Sequence, residues 1–290
     1  MCRLLGYCAR EEAAVVDLIG EEGLGALIAL SALHADGWGM AWYEPPGSAD
    51  PDPVIRKSPL RADEPEFEKL ARQPVSDLGL VHLRWATPGL AINDLNTHPF
   101  RYGDYTFAHN GAVHPQERLG EILPPEWEVR VAGTTESERY LLLIMSRLAA
   151  NGGDMVTAIA EAAGQIERQF APNSLNAILA SPHYLYGISW HDRDKVPAAK
   201  LRERGYENRP DEIACYFDLA YLATSDAVVV ASSGWAQDGW KPLPDRHVLV
   251  VERSTLTTQI LPLTPTAASS RRARHMENPA HEEPGGMPPA

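Results

Sequence analysis

Two helix-forming stretches lie back to back in the middle of this chain, and segments that read as strands lie on both sides of them. Thr135 opens the first with a Thr-x-x-Glu spacing to Glu138, ahead of RYLLLIMSRLAA, which is a capping-box signature. Residues 154–170 supply the second helix. Before them, residues 3–9, 37–43, 54–60, 78–87 and 105–111 read as strands, with 54–60 pairing back on 37–43 as a hairpin. A helix-like apolar pattern at 22–33 and a short helix at 64–73 interrupt this first set. Strands return at SLNAILAS, YLYGISWH, YLATSDAVVVASS and HVLVVERSTLTTQILPL. Strands that do not alternate regularly with helices argue against a parallel, doubly wound sheet. Antiparallel sheets covered by helices are expected instead.

Bulk properties narrow the function classes. A chain of 290 residues with 44% hydrophobic content can bury a sizeable core, as one large domain or two small ones. Its net charge of -13 repels phosphate backbones and excludes nucleic acid as a partner class. No apolar run approaches a membrane span, and no basic region followed by an apolar stretch marks a secretory signal. Cys2, Cys8 and Cys215 are few and odd in number, which fits a reducing cytoplasm better than a disulfide framework. None forms a Cys-x-x-Cys pair, and no Gly-rich phosphate loop is present, so neither a metal nor a cofactor is expected. Residues 44–53 read as a turn or loop from their proline and glycine content. A single domain over 2–263 is expected, followed by a disordered tail at 264–290 that lacks apolar periodicity. The charged stretch LRERGYENRPDE reads as a solvated loop between strands, or as part of a partner surface.

Several residues could carry chemistry. Cys2 directly follows Met1. Were Met1 removed, it would carry both a thiol nucleophile and a free α-amine, whose pKa of about 7.7–8.0 suits a base near neutral pH. Equally, it could be a buried strand cysteine, the reading that Cys8 keeps. His82, His98 and His109 leave a Cys–His dyad open. Asn110 and Gly111, in FAHNGAV, form either a tight turn or a pair of donors for an oxyanion. Arg84 sits in a run that otherwise reads as a buried strand, where a guanidinium needs a partner and suits a carboxylate. Trp85 could be core and Thr87 a turn cap. Glu136 and Glu138 lie in the first turn of a helix, favoured there by the helix dipole whatever they do, and Glu136 could also bind an ammonium group. His34 and Asp36 lack further ligands at metal spacing, and LHADGWG reads better as a turn whose glycines permit close backbone approach.

Taken together, MCRLLGY, ADGWGMAWY, HLRWATPG, NTHPF, AHNGAV and TTESE resemble, in order, the class II glutamine amidotransferases, a branch of the N-terminal-nucleophile hydrolases. The first two segments are similar to its small stand-alone branch, which holds uncharacterised amidotransferase-like proteins and the γ-glutamyl amidohydrolase of ergothioneine synthesis. The resemblance implies an α+β fold, a four-layer αββα sandwich of two mostly antiparallel sheets flanked by helices. It implies that Cys2, freed of Met1, attacks the side-chain amide of glutamine, with its α-amine moving the proton through a water. It also implies that Asn110 and Gly111 hold the oxyanion, that Arg84 binds the substrate α-carboxylate with Thr87 assisting, and that Trp85 stands near the site. Two positions depart from the family pattern. Glu136 stands where many relatives have the aspartate that binds the α-ammonium, and Pro88 stands where many have histidine. The pocket is therefore re-spaced, and glutamine need not be the best substrate. Three functions follow: a glutaminase that feeds ammonia to a separate synthase, a hydrolase of another γ-glutamyl small molecule, or a non-catalytic binding module that kept the fold.

Overall fold

The computed structural model describes residues 2–45, 52–87, 89–207 and 209–264, without the side chains of residues 116 and 117. Pro88, the middle of the 44–53 stretch and the tail from residue 265 lie outside the described residues. The chain runs as β1 (Arg3–Ala13), α1 (Val15–Leu30), β2 (Trp38–Trp42), β3 (Val54–Ser58), α2 (Pro65–Ala71) and β4 (Ser76–Leu83). It continues as β5 (Phe100–Tyr102), β6 (Tyr105–Asn110), α3 (Pro125–Glu128), α4 (Glu136–Ala150), α5 (Met155–Gln169), β7 (Asn176–Ala180) and β8 (Tyr184–Ser189). The final part is α6 (Ala198–Leu201), α7 (Pro210–Ala214), β9 (Leu219–Ala223), β10 (Ala227–Ser232), β11 (Lys241–Leu243), β12 (His247–Glu252) and β13 (Thr258–Pro262).

The strands form two sheets, one of seven strands in the order β11-β9-β10-β1-β4-β2-β3 and one of six in the order β13-β12-β8-β7-β6-β5. The strand pairs are antiparallel. The period of two along β1 shows how the layers stack. Leu4 and Cys8 join Ala108, Ile178 and Leu249 in a core between the sheets. Leu5 and Tyr7, pointing the other way, pack with Leu24, Leu27 and Phe67 under α1 and α2. On the far side, Phe107, Leu179 and Ile188 of the six-stranded sheet pack against Tyr140, Leu141 and Ile159 of α4 and α5. The result is the four-layer αββα sandwich. The sheets approach closely at Gly6, where a Cβ would stand 2.7 Å from Ile178 Cγ2.

Three readings are corrected. Helix α1 begins at Val15 rather than at residue 22, because Gly20 (φ 75°) breaks it and the buried face resumes only at Gly23. The strand expected over 78–87 ends at Leu83, so Arg84 to Thr87 are non-repetitive. The stretch 201–212 is not simply a solvated loop. Leu201 and Tyr206 are fully buried and cluster with Trp85, Ile213, Tyr216 and Phe217.

Candidate active site

Alternation along three strands brings the sequence-predicted residues to one end of the inter-sheet layer. On β1, Cys2 shares its face with Leu4 and Cys8. On β4, Arg84 continues the face of Leu80 and His82. On β6, Asn110 follows Ala108. The register Leu4↔His82 and Arg3↔Leu83 sets Cys2 across from Arg84. Cys2, Arg84, Trp85, Thr87, Gly111 and Glu136 line one pocket with room for about 20 Å³, about that of a single water.

Cys2 is 5% exposed. Its backbone nitrogen donates to Asn110 Oδ1 at 2.8 Å, and its Sγ receives the Trp85 N–H at 3.5 Å and lies 3.8 Å from the Trp85 carbonyl. Because the Cys2 nitrogen, a peptide N–H while Met1 is attached, can only donate, the oxygen of the Asn110 amide faces it. That leaves Asn110 Nδ2 buried with no partner among the described residues. Gly111 follows, and a Cβ there would stand 1.9 Å from the Ser174 carbonyl oxygen, so no other residue fits this backbone. Cys8 is different: burial pushes its thiol up to about 12, and it stays protonated between the sheets.

Arg84 is 2% exposed and carries its charge into this layer. Its Nη1 donates to the Asp36 carbonyl at 3.2 Å and its Nη2 to the Ala91 carbonyl at 3.1 Å, leaving it without a bonded carboxylate among the described residues. Burial lowers its pKa, and the charges of Cys2, Asp36 and Glu136 pull the other way. Glu136, at the first position of α4, is 3% exposed, and its Oε2 has no partner among the described residues. Burial pushes its carboxyl up to about 7, against the pull of its own backbone N–H and of Arg84 and Arg139. A buried guanidinium and a buried carboxylate with free capacity in one pocket suit the two charged ends of an amino acid.

Glu138 serves the backbone instead. Thr135 Oγ1 receives the Glu138 N–H at 3.2 Å, as a cap should, but the Glu138 carboxylate does not return to Thr135. It takes the Ala132 and Gly133 N–H groups at 2.9 and 2.7 Å, because the preceding turn folds over the helix end. The histidines do not form a dyad with Cys2. His109 Nδ1 meets Ser137 Oγ at 2.9 Å and its Nε2 meets the Ser174 carbonyl at 3.1 Å, while burial brings its pKa down to about 4. His82 and His98 lie with ring centres 4.1 Å apart and planes tilted by 35°, their nitrogens without hydrogen-bond partners among the described residues, and burial lowers both well below the usual range.

Sequence reasoning missed two contributors. Asp36 was weighed only as a metal ligand, yet its carboxylate receives the Ala86 N–H at 2.9 Å while its carbonyl holds Arg84, fixing the segment behind Cys2. Among the described residues, no group of three His, Cys, Asp or Glu side chains could hold a metal. Asn96 binds the Ala91 carbonyl at 3.1 Å through Nδ2 and the Thr134 N–H at 2.9 Å through Oδ1, joining the Arg84 segment to the start of α4. Such partners are backbone groups, which leave no signature in the sequence. Among the described residues, no helix is long and apolar enough to cross a membrane.

Known proteins share this sequence and architecture. The chain is 27% identical over 271 residues to the gamma-glutamyl-hercynylcysteine sulfoxide hydrolase of Mycobacterium tuberculosis, covering 90% of this chain and 97% of that protein. It is 29% identical over 128 residues to the probable glutamine amidotransferase DUG3 of Saccharomyces cerevisiae, covering 42% of this chain and 36% of that one. A glutamine aminotransferase class-II domain protein from Silicibacter pomeroyi superposes with a TM-score of 0.59 at 20% identity, over 91% of this chain and 100% of that one. The glutamine phosphoribosylpyrophosphate amidotransferase from B. subtilis superposes at 0.58 with 14% identity, over 91% of this chain and 50% of that one. The profile of the glutamine amidotransferases class-II matches residues 1–275. With a match that runs through the whole sandwich, this chain belongs to the class II glutamine amidotransferases.

Proposed function

We propose that this chain is a thiol amidohydrolase that cleaves γ-glutamyl amides, glutamine among them, through Cys2 after removal of Met1. The observation that carries the reading is the Asn110 amide, whose oxygen holds the Cys2 nitrogen while its Nδ2 stays buried with no partner among the described residues. In this reading Arg84 pairs with the substrate α-carboxylate, with Thr87 assisting, and Glu136 pairs with the α-ammonium. The α-amine of Cys2 takes the thiol proton through a water. The sulfur bonds to the γ-carbonyl carbon, and the oxyanion is stabilised by Asn110 Nδ2 and the Gly111 N–H. The C–N bond breaks as the amine-side nitrogen takes the proton and departs as ammonia or a larger amine. Water then attacks the glutamyl thioester, releasing glutamate and restoring the thiol. Because the pocket has room for about 20 Å³, entry of a glutamyl group requires the pocket to widen.

The test is glutamate release, by mass spectrometry, from glutamine and from a panel of γ-glutamyl amides, using protein whose intact mass shows Met1 removed. Release is expected with wild type and lost with Cys2→Ala, and a glutamyl adduct is expected on the Cys2 peptide after a rapid acid quench. Release that survives Cys2→Ala, or no turnover of any γ-glutamyl amide by processed protein, overturns the reading. A glutaminase feeding a separate synthase is the second form of the same chemistry. Binding of a partner that stimulates ammonia release would favour it.

A further inference from the structure

A cleft of about 540 Å³ adjoins the catalytic pocket, within the roughly 300–1,000 Å³ range of small-molecule sites. Trp85, Ala86 and Thr87 line both spaces. The opposite wall is also continuous, since Gly111 lines the pocket and Ala112 the cleft. That wall is fixed by the Ala112 N–H donating to Asn173 Oδ1 at 2.8 Å and the Asn173 N–H donating to the Ala112 carbonyl at 3.2 Å. Arg84 and Glu136, the groups suited to the glutamyl end, line the pocket and not the cleft. A carbonyl held between Cys2 and Gly111 therefore sends its amine portion out between Thr87 and Ala112, into the cleft.

The cleft is unusual for this protein. The chain carries a net charge of -13, yet this space gathers Lys200 and Arg204 against a single acid, Glu203. Arg204 is held in place, its guanidinium 4.9 Å above the Trp85 ring and 4.0 Å from Asp36. Lys200 makes no ion pair among the described residues. Both cations sit on a short stretch anchored by the buried Leu201 and Tyr206, so their placement follows from packing rather than from chance surface position.

The geometry points to Lys200 and Arg204 as a leaving-group subsite that selects γ-glutamyl amides whose amine portion carries a carboxylate, that is, γ-glutamyl amino acids. This rests on the amidohydrolase reading and names its substrate class. In such a compound the amino group of the second residue is consumed in the scissile amide, so its remaining charge is one carboxylate. Arg204 is shared with Asp36 and Glu203 stands beside it, so Lys200 is left as the cation with no ion pair among the described residues, which matches one carboxylate better than a doubly charged phosphate. Hydrolysis breaks the γ-C–N bond, the nitrogen leaves protonated as the amino acid, and water supplies the oxygen of the released glutamate. No other reactant is needed.

The test compares γ-glutamyl-alanine with its C-terminal carboxamide as substrates for processed enzyme. The acid is expected to be preferred by about tenfold or more in kcat/KM. Lys200→Gln with Arg204→Gln is expected to bring that ratio close to one. Arg193→Gln, an exposed cation outside the cleft, should leave the ratio as in wild type. Thermal melting checks that the double variant is folded. Lys200→Gln alone, which disturbs no ion pair, serves if it is not, and should lower the same ratio severalfold. Equal turnover of acid and carboxamide by wild type, with both cleaved, overturns the subsite and leaves the amidohydrolase reading standing. A ratio that survives in the folded variants also overturns it. If wild type cleaves neither these compounds nor glutamine, the amidohydrolase reading fails and the subsite with it.

Discussion

Asn110 is the residue whose two ends do different work. Its oxygen accepts from the Cys2 nitrogen, and its Nδ2, buried without a partner among the described residues, is the donor that the proposed mechanism aims at a developing oxyanion. Asn110→Ala should lower kcat by about 10²–10³-fold, read from steady-state kinetics on any cleaved γ-glutamyl amide. Glu136 is the costly residue. Its carboxyl is raised to about 7 by burial, so between about 4.5 and 7 the folded chain holds a proton that the unfolded chain has released. Its effect on stability is therefore unfavourable as pH rises through that window. Glu136→Gln should be little different from wild type near about pH 5 and more stable by up to about 3 kcal/mol above about pH 8, measured by urea unfolding at both. The same titration gives wild type a KM that falls as pH rises through about 7, a trend that Glu136→Gln should abolish.

At the scale of elements, helix α4 presents Glu136 only because Thr135 starts it there and Glu138 ties down the turn before it. Thr135→Ala removes the cap and should cost about 1 kcal/mol, seen as a lowered Tm, together with a raised KM as the first turn frays. Much at this scale was legible in advance. The strand runs at β1, β2, β4, β6 and β10 had strong apolar content, and the Thr135 cap stands where the sequence set it. What escaped had physical reasons. Strand β5 has three residues, too few for an alternation to register. The 201–217 stretch hides its buried Leu201, Tyr206, Tyr216 and Phe217 among charges, spaced by no regular period. Arg84 stood out as a charge in an apolar run, whereas Cys2, Asn110 and Glu136 were marked out mainly by the ordered set of motifs that resembles the family. Asp36 and Asn96 did not stand out, because each acts on backbone groups whose position only the fold supplies.

Across the whole molecule, β1 is the member that connects the layers. It lies between β10 and β4 in the seven-stranded sheet, and its side chains enter the cores on both faces of that sheet. Arg3 extends this role to the irregular 201–217 stretch. Its Nη2 donates to Tyr206 Oη at 3.0 Å, its Nη1 donates to the Tyr216 carbonyl at 3.2 Å, and its guanidinium lies 4.0 Å from the centre of the Tyr216 ring. The residue beside the proposed nucleophile thus also secures the stretch that carries the proposed leaving-group cations.

The burial of Cys2 sets a schedule. An aminopeptidase needs an extended, accessible chain end, yet the residue on the far side of the bond it would cut is 5% exposed and pinned to Asn110 once β1 is seated. If Cys2 acts as proposed, trimming would then belong to the nascent chain, before the sandwich closes, and a molecule that folds first would stay inactive. Protein made faster than the host can trim it should contain two fixed populations, distinguishable by intact mass, with activity proportional to the shorter one. Methionine aminopeptidase added to the folded mixture should not raise that activity, whereas the same enzyme present during refolding from denaturant should.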